Sequence, residues 1–190
     1  LELEKGDVAL VSLSYLSNVT GNLLEVKKVI TMSHQFGAKV LIDAAQAAPH
    51  IAIDVVDLDC DFLVFSGHKL GAPTGVGVLF GKADLLESMA IYLKGGSTVD
   101  EVTSNGFILK NSPWKFEAGT PAIESVVGLG VAINFLLAIG MDEIHKQCHQ
   151  LTMFTQNELQ LKLPEVIILG NSKERTSGPI SLNMKGVSSH

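Results

Sequence analysis

The chain of 190 residues is long enough for one substantial hydrophobic core, or for one domain and part of a second. Its 46% hydrophobic and 18% charged residues are typical of a globular protein and exclude an intrinsically disordered chain. The formal net charge of -6 argues against a nucleic-acid partner and against binding to an anionic membrane. The two cysteines, Cys60 and Cys148, lack metal-ligand spacing and favour a reducing compartment, so we expect a cytoplasmic protein without a metal.

The ends of the sequence indicate a piece of a longer protein. The chain begins with Leu1 instead of methionine and ends at His190, shortly after a strand-like stretch. We therefore expect an internal segment. No apolar run approaches the roughly 20 residues that a membrane-spanning helix needs, so we expect no membrane partner.

The first part of the chain predicts a strand, a helix and a second strand. Residues 8–14 are rich in strand formers, and a polar, glycine-ended turn over residues 15–21 follows them. Apolar residues then recur at helical spacing as far as Phe36, and Gly37 is suited to end that helix. Residues 39–43 are again apolar and extended. Two strands joined by a crossover helix are parallel, and the crossover is right-handed.

The next segment predicts two more strands and a ribbon. Residues 62–66 form a continuous apolar run, which is typical of a strand buried on both faces. Residues 78–80 are expected to return antiparallel, because the glycine-rich loop between the two runs is too short for a crossover helix. A short helix over residues 82–89 follows, and residues 95–110 are polar and predict a mobile loop or ribbon.

The last part of the chain predicts two helices and two strands. Thr120 and Pro121 are suited to open an apolar helix, with Thr120 as its cap, and Gly140 ends it. A second helix is predicted over residues 142–161, and strands over residues 166–169 and 180–184. A shift in composition near Gly140 predicts a domain boundary, with a partial large domain over residues 1–140 and the beginning of a small one over residues 141–190.

Polar side chains gather where the second and third predicted strands end. Asp43 and Gln46 follow one strand, and Ser66, His68 and Lys69 follow the other. Ligands of open parallel sheets bind beyond the carboxyl ends of the strands, so these side chains should converge on one crevice. They suit a ligand with a phosphate, a cationic ring nitrogen and an aldehyde that condenses with lysine. Pyridoxal phosphate is such a ligand.

Each candidate also has a structural interpretation. Lys69 beside a hydroxyl and an imidazole at a strand end favours the neutral amine that condenses with an aldehyde, yet a surface lysine also fits its position. Asp43 is suited to pair with a pyridinium nitrogen, or to form a helix cap or salt bridge. Gln46 and Asn18 are equally compatible with ordinary turns, and Thr120 with helix capping alone. The remaining histidines share no spacing and are expected to be solvated.

Five motifs resemble one family in order and in spacing. They are SNVTG at residues 17–21, DAAQ at 43–46, DLDCDF at 57–62, SGHKLGAPTGVG at 66–77 and WKFEAGTP at 114–121. Together they resemble the cysteine desulfurase and selenocysteine lyase group of class V aminotransferases. The resemblance covers essentially the whole chain, but only about the middle half of a family member.

The resemblance implies a three-layer α/β/α fold around a mixed, mainly parallel sheet, as in the large domain of aspartate aminotransferase, followed by the start of a small α+β domain. It implies that Lys69 holds the cofactor covalently and moves the proton at the substrate's α-carbon. Asp43 would pair with the pyridine nitrogen and Gln46 with the ring oxygen. Ser66 and His68 would bind the phosphate.

The same resemblance implies a homodimer in which Thr120 reaches the phosphate of the partner subunit's cofactor, and it assigns Asn18 to the substrate carboxylate. The implied reaction removes sulfur from L-cysteine, or selenium from L-selenocysteine, and leaves alanine. The sulfur, carried as a persulfide, would pass to an acceptor protein for iron–sulfur cluster and related biosynthesis.

The chain departs from the family pattern in several places. The persulfide-forming cysteine and the substrate-clamping arginine of the family lie outside these residues, and neither Cys60 nor Cys148 replaces that cysteine. Tyr15 stands where many relatives have a histidine. We therefore expect this chain alone to be inactive. Two alternatives stay open: another reaction on the same scaffold (aminotransferase, kynureninase-like or epimerase), and a truncated remnant that only binds cofactor or dimerises.

Overall fold

A four-stranded sheet lies at the centre of the computed structural model, which describes residues 2–170 and 177–188. The elements of this part are β1 (Leu10–Ser14), α1 (Val26–Gln35), β2 (Lys39–Asp43), α2 (Val55–Leu58), β3 (Phe62–Ser66) and β4 (Gly77–Gly81). The strand order is β1-β2-β3-β4; the first two pairs are parallel and the third is antiparallel. The predicted βαβ unit and the antiparallel return are both confirmed.

The second half of the chain adds helices and two hairpins. Its elements are α3 (Ala83–Ser88), β5 (Val99–Thr103), β6 (Gly106–Leu109), α4 (Ile123–Ile139), α5 (Met141–Lys162), β7 (Val166–Ile168) and β8 (Leu182–Met184). The pairs β5–β6 and β7–β8 are antiparallel. Residues 95–110 therefore contain a ribbon, one of the two forms predicted for them. Within the described part of the chain, short 3-10 helices occur at Glu2–Lys5, Gly67–Leu70 and Trp114–Phe116.

The hydrophobic core lies between α1 and one face of the sheet. Val40 and Ile42 of β2 are fully buried, and α1 turns Val26 and Ile30 onto them. The helix ends because Gly37 takes a φ of +77°, a left-handed conformation that glycine adopts without strain, as its predicted role requires. The alternation of buried and exposed side chains along β2 follows from the two-residue period of a strand.

Strand β3 is less buried than its apolar sequence predicts. Leu63 is buried, whereas the four other residues of β3 are only half-buried. Because Phe62 and Gly81 are register partners, they share the face opposite the core, and α3 lies against them through Leu86. That face is otherwise thinly covered by the described residues, and Leu10 and Leu79 are about half exposed on it. Helices thus lie on both faces of a mixed, mainly parallel sheet, which confirms the predicted fold class.

Helix α4 begins later than the sequence predicts. Its first residue is Ile123, and Ala122 precedes it without a side-chain cap, so the prediction that Thr120 caps this helix is wrong. The Gly119 amide donates to the Gly96 carbonyl at 2.8 Å, which ties this segment to the loop before β5 and delays the first helical turn. Glu124 still lies in that turn, where a carboxylate favours the helix dipole.

Helix α4 is apolar on nearly every side and largely exposed. Val127, Val131 and Phe135 are each more than 60% exposed. Among the described helices none is by itself long and apolar enough to span a membrane; α4 and α5 pass that test only as a pair, and they meet at an angle of 77°.

A buried charge cluster lies at the amino-terminal ends of β2 and β3. Asp61 is 1% exposed and accepts hydrogen bonds from the Val40 amide at 2.8 Å and from the His34 ring at 2.7 Å, and the Lys82 ammonium lies 3.7 Å away. Burial by itself raises the pKa of Asp61, but the two hydrogen bonds and the nearby His34 and Lys82 outweigh it and lower the pKa. His34 is therefore a hydrogen-bond partner of the buried Asp61, and the expectation that it is solvated is wrong.

The domain boundary predicted near Gly140 stays a prediction. Contacts join the parts of the chain that lie before and after it. Cys148 of α5 lies 3.6 Å from the His50 ring, and Ser181 bonds to the Val19 carbonyl. Burial raises the pKa of both thiols, Cys60 and Cys148. Neither is therefore an activated nucleophile. At Cys60 burial is the largest cause, and the neighbouring carboxylates of Asp61 and Asp59 raise the pKa further.

Candidate active site

The carboxyl ends of β2 and β3 bring Asp43 and Ser66 to one edge of the sheet. Asp43 is the register partner of Val64, and the Ala44 amide donates to the Val64 carbonyl at 2.8 Å. Register partners share a face, and so do residues two apart on a strand. The side chains of Asp43 and Ser66 therefore lie on the same face, on strands spaced about 4.8 Å apart.

Asp43 is held in place by its own turn. Its Oδ1 accepts a hydrogen bond from the Ala45 amide at 2.9 Å, and its carbonyl accepts one from the Tyr15 amide at 2.9 Å. The carboxylate makes no ion pair with any other described residue. An oriented, half-buried carboxylate with one oxygen left over is suited to accept a hydrogen bond from a cationic ring nitrogen. Gln46 lies half-buried in the same turn.

The 3-10 helix Gly67–Leu70 presents His68 and Lys69 directly beyond β3. The Gly67 amide donates to the Val76 carbonyl at 3.0 Å, and a Cβ at Gly67 would lie 2.7 Å from the Val76 side chain. Only glycine therefore fits this turn without displacing Val76. Gly71, with a φ of +91°, ends the 3-10 helix and lets the chain reverse toward β4.

The two residues of this turn that are predicted to bind the cofactor differ in their exposure to solvent. His68 is exposed, whereas Lys69 is half-buried. Within residues 2–170 and 177–188 the Lys69 ammonium has no hydrogen-bond or ion-pair partner. An amine without a carboxylate beside it is available to a carbonyl carbon, which suits the predicted covalent role of Lys69.

Sequence reasoning missed the contacts that hold the loop after Lys69. Ser125 of α4 donates from Oγ to the Thr74 carbonyl at 2.8 Å. Gly128, one turn further along the helix, packs so closely that a Cβ there would lie 2.5 Å from Pro73. Helix α4 therefore supports the loop that carries the lysine turn. The sequence signal is the pair of glycines in an apolar helix, where glycine is otherwise unfavourable.

Asn18 lies at the same edge of the sheet, in the turn after β1. Strand β1 is parallel to β2, and Ser14 is the register partner of Asp43. Asn18 is exposed within a turn closed by the Ser17 hydroxyl, which accepts from the Val19 amide at 3.2 Å and the Thr20 amide at 3.1 Å. The structure thus brings Asn18 to the edge that carries Asp43, Ser66 and Lys69.

Thr120 is not brought to this edge by any contact among the described residues. It is exposed and lies before α4, outside the helix end at which it was placed. Its predicted contact is with the partner subunit's cofactor, so this single chain leaves that prediction untested.

Tyr15, directly after β1, turns toward the hydrophobic core and not toward the site. Its ring packs against the hydrophobic core and lines a groove of about 740 Å³ beside α1. Burial, and secondarily Asp57, raises the pKa of its phenol above the ordinary value. A second, apolar cavity of about 250 Å³ lies between the sheet and α4. Neither of these two cavities is lined by the predicted site residues at the carboxyl ends of β2 and β3, here called the shelf: Asp43, Gln46, Ser66, His68 and Lys69.

The side chains on this shelf fit pyridoxal phosphate. Asp43 supplies an oriented carboxylate, and Lys69 an amine without a carboxylate partner in the described part of the chain. Ser66 and His68 supply a hydroxyl and an exposed imidazole for a phosphate. No group of three or more His, Cys, Asp or Glu side chains that could hold a metal ion occurs in the described residues.

The mixed α/β sheet with a lysine turn beyond β3 defines a pyridoxal-phosphate type of site. The family model for aminotransferase class V matches residues 2–190, and the chain belongs to this family. Enzymes of the family use pyridoxal phosphate as their cofactor.

Three similar proteins carry the name cysteine desulfurase. A protein named "Probable cysteine desulfurase" from Halalkalibacterium halodurans is 42% identical over 95% of this chain. A cysteine desulfurase from Enterobacter sp. is 40% identical over 97% of it. The crystal structure of the cysteine desulfurase CsdA from Escherichia coli superposes with a TM-score of 0.91 at 37% identity, covering 98% of this chain and 46% of that one. This chain spans 44% of the length of the Halalkalibacterium halodurans protein and 46% of the length of the Enterobacter sp. protein.

Proposed function

We propose that the protein containing this chain is a pyridoxal-phosphate-dependent enzyme that removes sulfur from L-cysteine and leaves L-alanine. One observation supports this proposal most strongly. The half-buried Lys69 stands on a glycine-dependent turn at the carboxyl end of β3, next to the strand end that carries the oriented Asp43 carboxylate. The similarity to proteins named cysteine desulfurase directs this general chemistry to cysteine.

Each residue on the shelf then has a defined task. Asp43 keeps the ring nitrogen protonated, Gln46 donates to the ring oxygen, and Ser66 and His68 bind the phosphate. When bound, the cofactor withdraws electrons from the substrate's α-carbon. Lys69 would hold the cofactor through its aldehyde carbon and would move the proton at that α-carbon.

The remaining assignments complete the proposal for the whole protein. Asn18 binds the substrate carboxylate with its exposed amide. In a homodimer, Thr120 reaches the phosphate of the cofactor bound to the other subunit. L-selenocysteine is a second substrate, and an acceptor protein takes the sulfur toward iron–sulfur cluster assembly in the cytoplasm.

A cofactor titration tests the proposal. Adding pyridoxal phosphate to the protein should produce the visible absorption band of a lysine-bound cofactor, and Lys69→Ala should abolish it. Lys146→Ala is the matched control, because Lys146 is an exposed lysine on α5 paired with Glu143 at 3.6 Å and should leave the band unchanged. A folded wild-type protein without the band, or a band that survives in Lys69→Ala, would refute the proposed role.

A further inference from the structure

The segment after α5 reaches back onto the turn that carries Asn18. Ser181 donates from its hydroxyl to the Val19 carbonyl, a contact between residues 162 positions apart. Gly178 approaches the same turn, since a Cβ built on it would lie 3.7 Å from the Leu16 side chain and 3.9 Å from Gly21. The carbonyl that Ser181 holds follows Asn18 by one residue.

Hydrogen bonds within the Asn18 turn give it a fixed shape. The Gly21 amide donates to the Ser17 carbonyl at 3.0 Å, and the Ser17 amide donates to the Asn22 carbonyl at 2.9 Å. Together with the bonds to the Ser17 hydroxyl, these contacts close the turn on itself. From outside, the turn follows directly on β1, and Ser181 bonds to it at the Val19 carbonyl.

Backbone hydrogen bonds hold Ser181 in position. Its carbonyl accepts a hydrogen bond from the Leu169 amide at 2.8 Å, just beyond β7. Strands β7 and β8 pair antiparallel, with Ile168 opposite Leu182, and β7 packs against α5. The hydroxyl is therefore presented to the turn by a hairpin and not by a free loop.

We propose that Ser181 is a positioning residue for Asn18. Its hydrogen bond to the Val19 carbonyl fixes the tilt of the turn, and thereby the direction in which the Asn18 amide meets the substrate carboxylate. This inference rests on the proposed function, in which Asn18 binds that carboxylate. Ser181 does not touch the substrate; it acts through the turn.

The test compares Ser181→Ala with Ser181→Thr in the holoenzyme of the whole protein that contains this chain. Removing one hydrogen bond of this type should raise the KM for L-cysteine about 3- to 10-fold, while kcat and the affinity for pyridoxal phosphate stay near their wild-type values. Ser181→Thr keeps a hydroxyl and should restore the KM. Ser88→Ala is the matched control, because Ser88 also donates to a backbone carbonyl, that of Leu85 at 2.8 Å, but far from the turn.

Amide hydrogen exchange on the cofactor-free protein provides a second readout. In Ser181→Ala the amides of Val19, Thr20 and Gly21 should exchange about 3-fold faster or more, whereas Ser88→Ala should leave them unchanged. This measurement needs neither substrate nor cofactor. It therefore separates a failure of this inference from a failure of the proposed function, which would show as a missing cofactor band.

Four results would overturn the inference. Unchanged exchange of the turn amides in Ser181→Ala would show that the contact does not hold the turn. Faster exchange with an unchanged KM would show that the contact is structural only. A parallel loss of cofactor affinity, or a Ser181→Thr variant that does not recover, would show general damage to the fold instead of a positioning effect.

Discussion

The His34 ring donates to the Asp61 carboxylate at 2.7 Å, and this pair joins α1 to the start of β3. Asp61 is 1% exposed and also accepts from the Val40 amide of β2 at 2.8 Å. One buried carboxylate thus holds three elements together at the end of the sheet opposite the candidate active site. A role in stability, and not in catalysis, follows from this placement.

Replacing Asp61 should destabilise the fold. Asp61→Asn removes the charge that His34 and Lys82 face, and we expect a loss of about 3 kcal/mol in the free energy of unfolding at pH 7. Urea denaturation measures this loss. Asp100→Asn, at an exposed position on β5, is the control and should change stability by less than about 0.5 kcal/mol.

The same carboxylate gives the stability a defined pH dependence. The pKa of Asp61 is lower in the folded protein than the ordinary value, so the folded state favours the ionised form. Its contribution is therefore fully present above the unfolded pKa of about 3.9 and is lost as the pH falls through the lower, folded pKa. Denaturation curves at a series of pH values should show a steeper acid loss for the wild type than for Asp61→Asn. Equal slopes would contradict this assignment.

Alanine substitutions at two glycines of α4 should have opposite effects on the stability of the fold. Gly128→Ala places a methyl group 2.5 Å from Pro73, so we expect a loss of about 1–3 kcal/mol and a displaced loop after Lys69. Gly130→Ala meets nothing within 4 Å on the same helix and should stabilise the protein by about 0.5–1 kcal/mol through helix propensity. Thermal unfolding distinguishes them, and similar effects from both would show that α4 does not press on the loop.

Asp43→Asn should separate cofactor attachment from carbanion stabilisation. Asparagine can keep the hydrogen bond from the Ala45 amide, so the turn and the lysine-bound cofactor should persist. Without the negative charge the ring nitrogen loses its proton, and exchange of the substrate's α-proton in the holoenzyme should slow on the order of 100-fold. Deuterium incorporation followed by NMR measures this rate. An unchanged rate would argue against pairing between Asp43 and the ring nitrogen.

The sequence predicted the strands that form the site because their patterns are local. Strands β2 and β3 end where apolar runs meet polar residues, and their observed bounds, Lys39–Asp43 and Phe62–Ser66, match the predictions. The polar groups that follow them were therefore placed at the correct edge of the sheet.

Contacts between distant residues could not be predicted in this way. His34 and Asp61 are 27 residues apart, and Val19 and Ser181 are 162 apart, so no spacing rule links them. The predicted start of α4 is wrong for a related reason. The Gly119–Gly96 hydrogen bond comes from tertiary packing and outweighs the local preference for a helix start at Thr120.

The central claim is that Lys69 holds the cofactor. Borohydride reduction of the protein with bound pyridoxal phosphate, followed by proteolysis and mass spectrometry, tests it directly. We predict that the added mass of the cofactor appears on Lys69 alone. Modification concentrated on another lysine, such as the buried Lys115, or a folded protein that reduction leaves unlabelled, would contradict the claim.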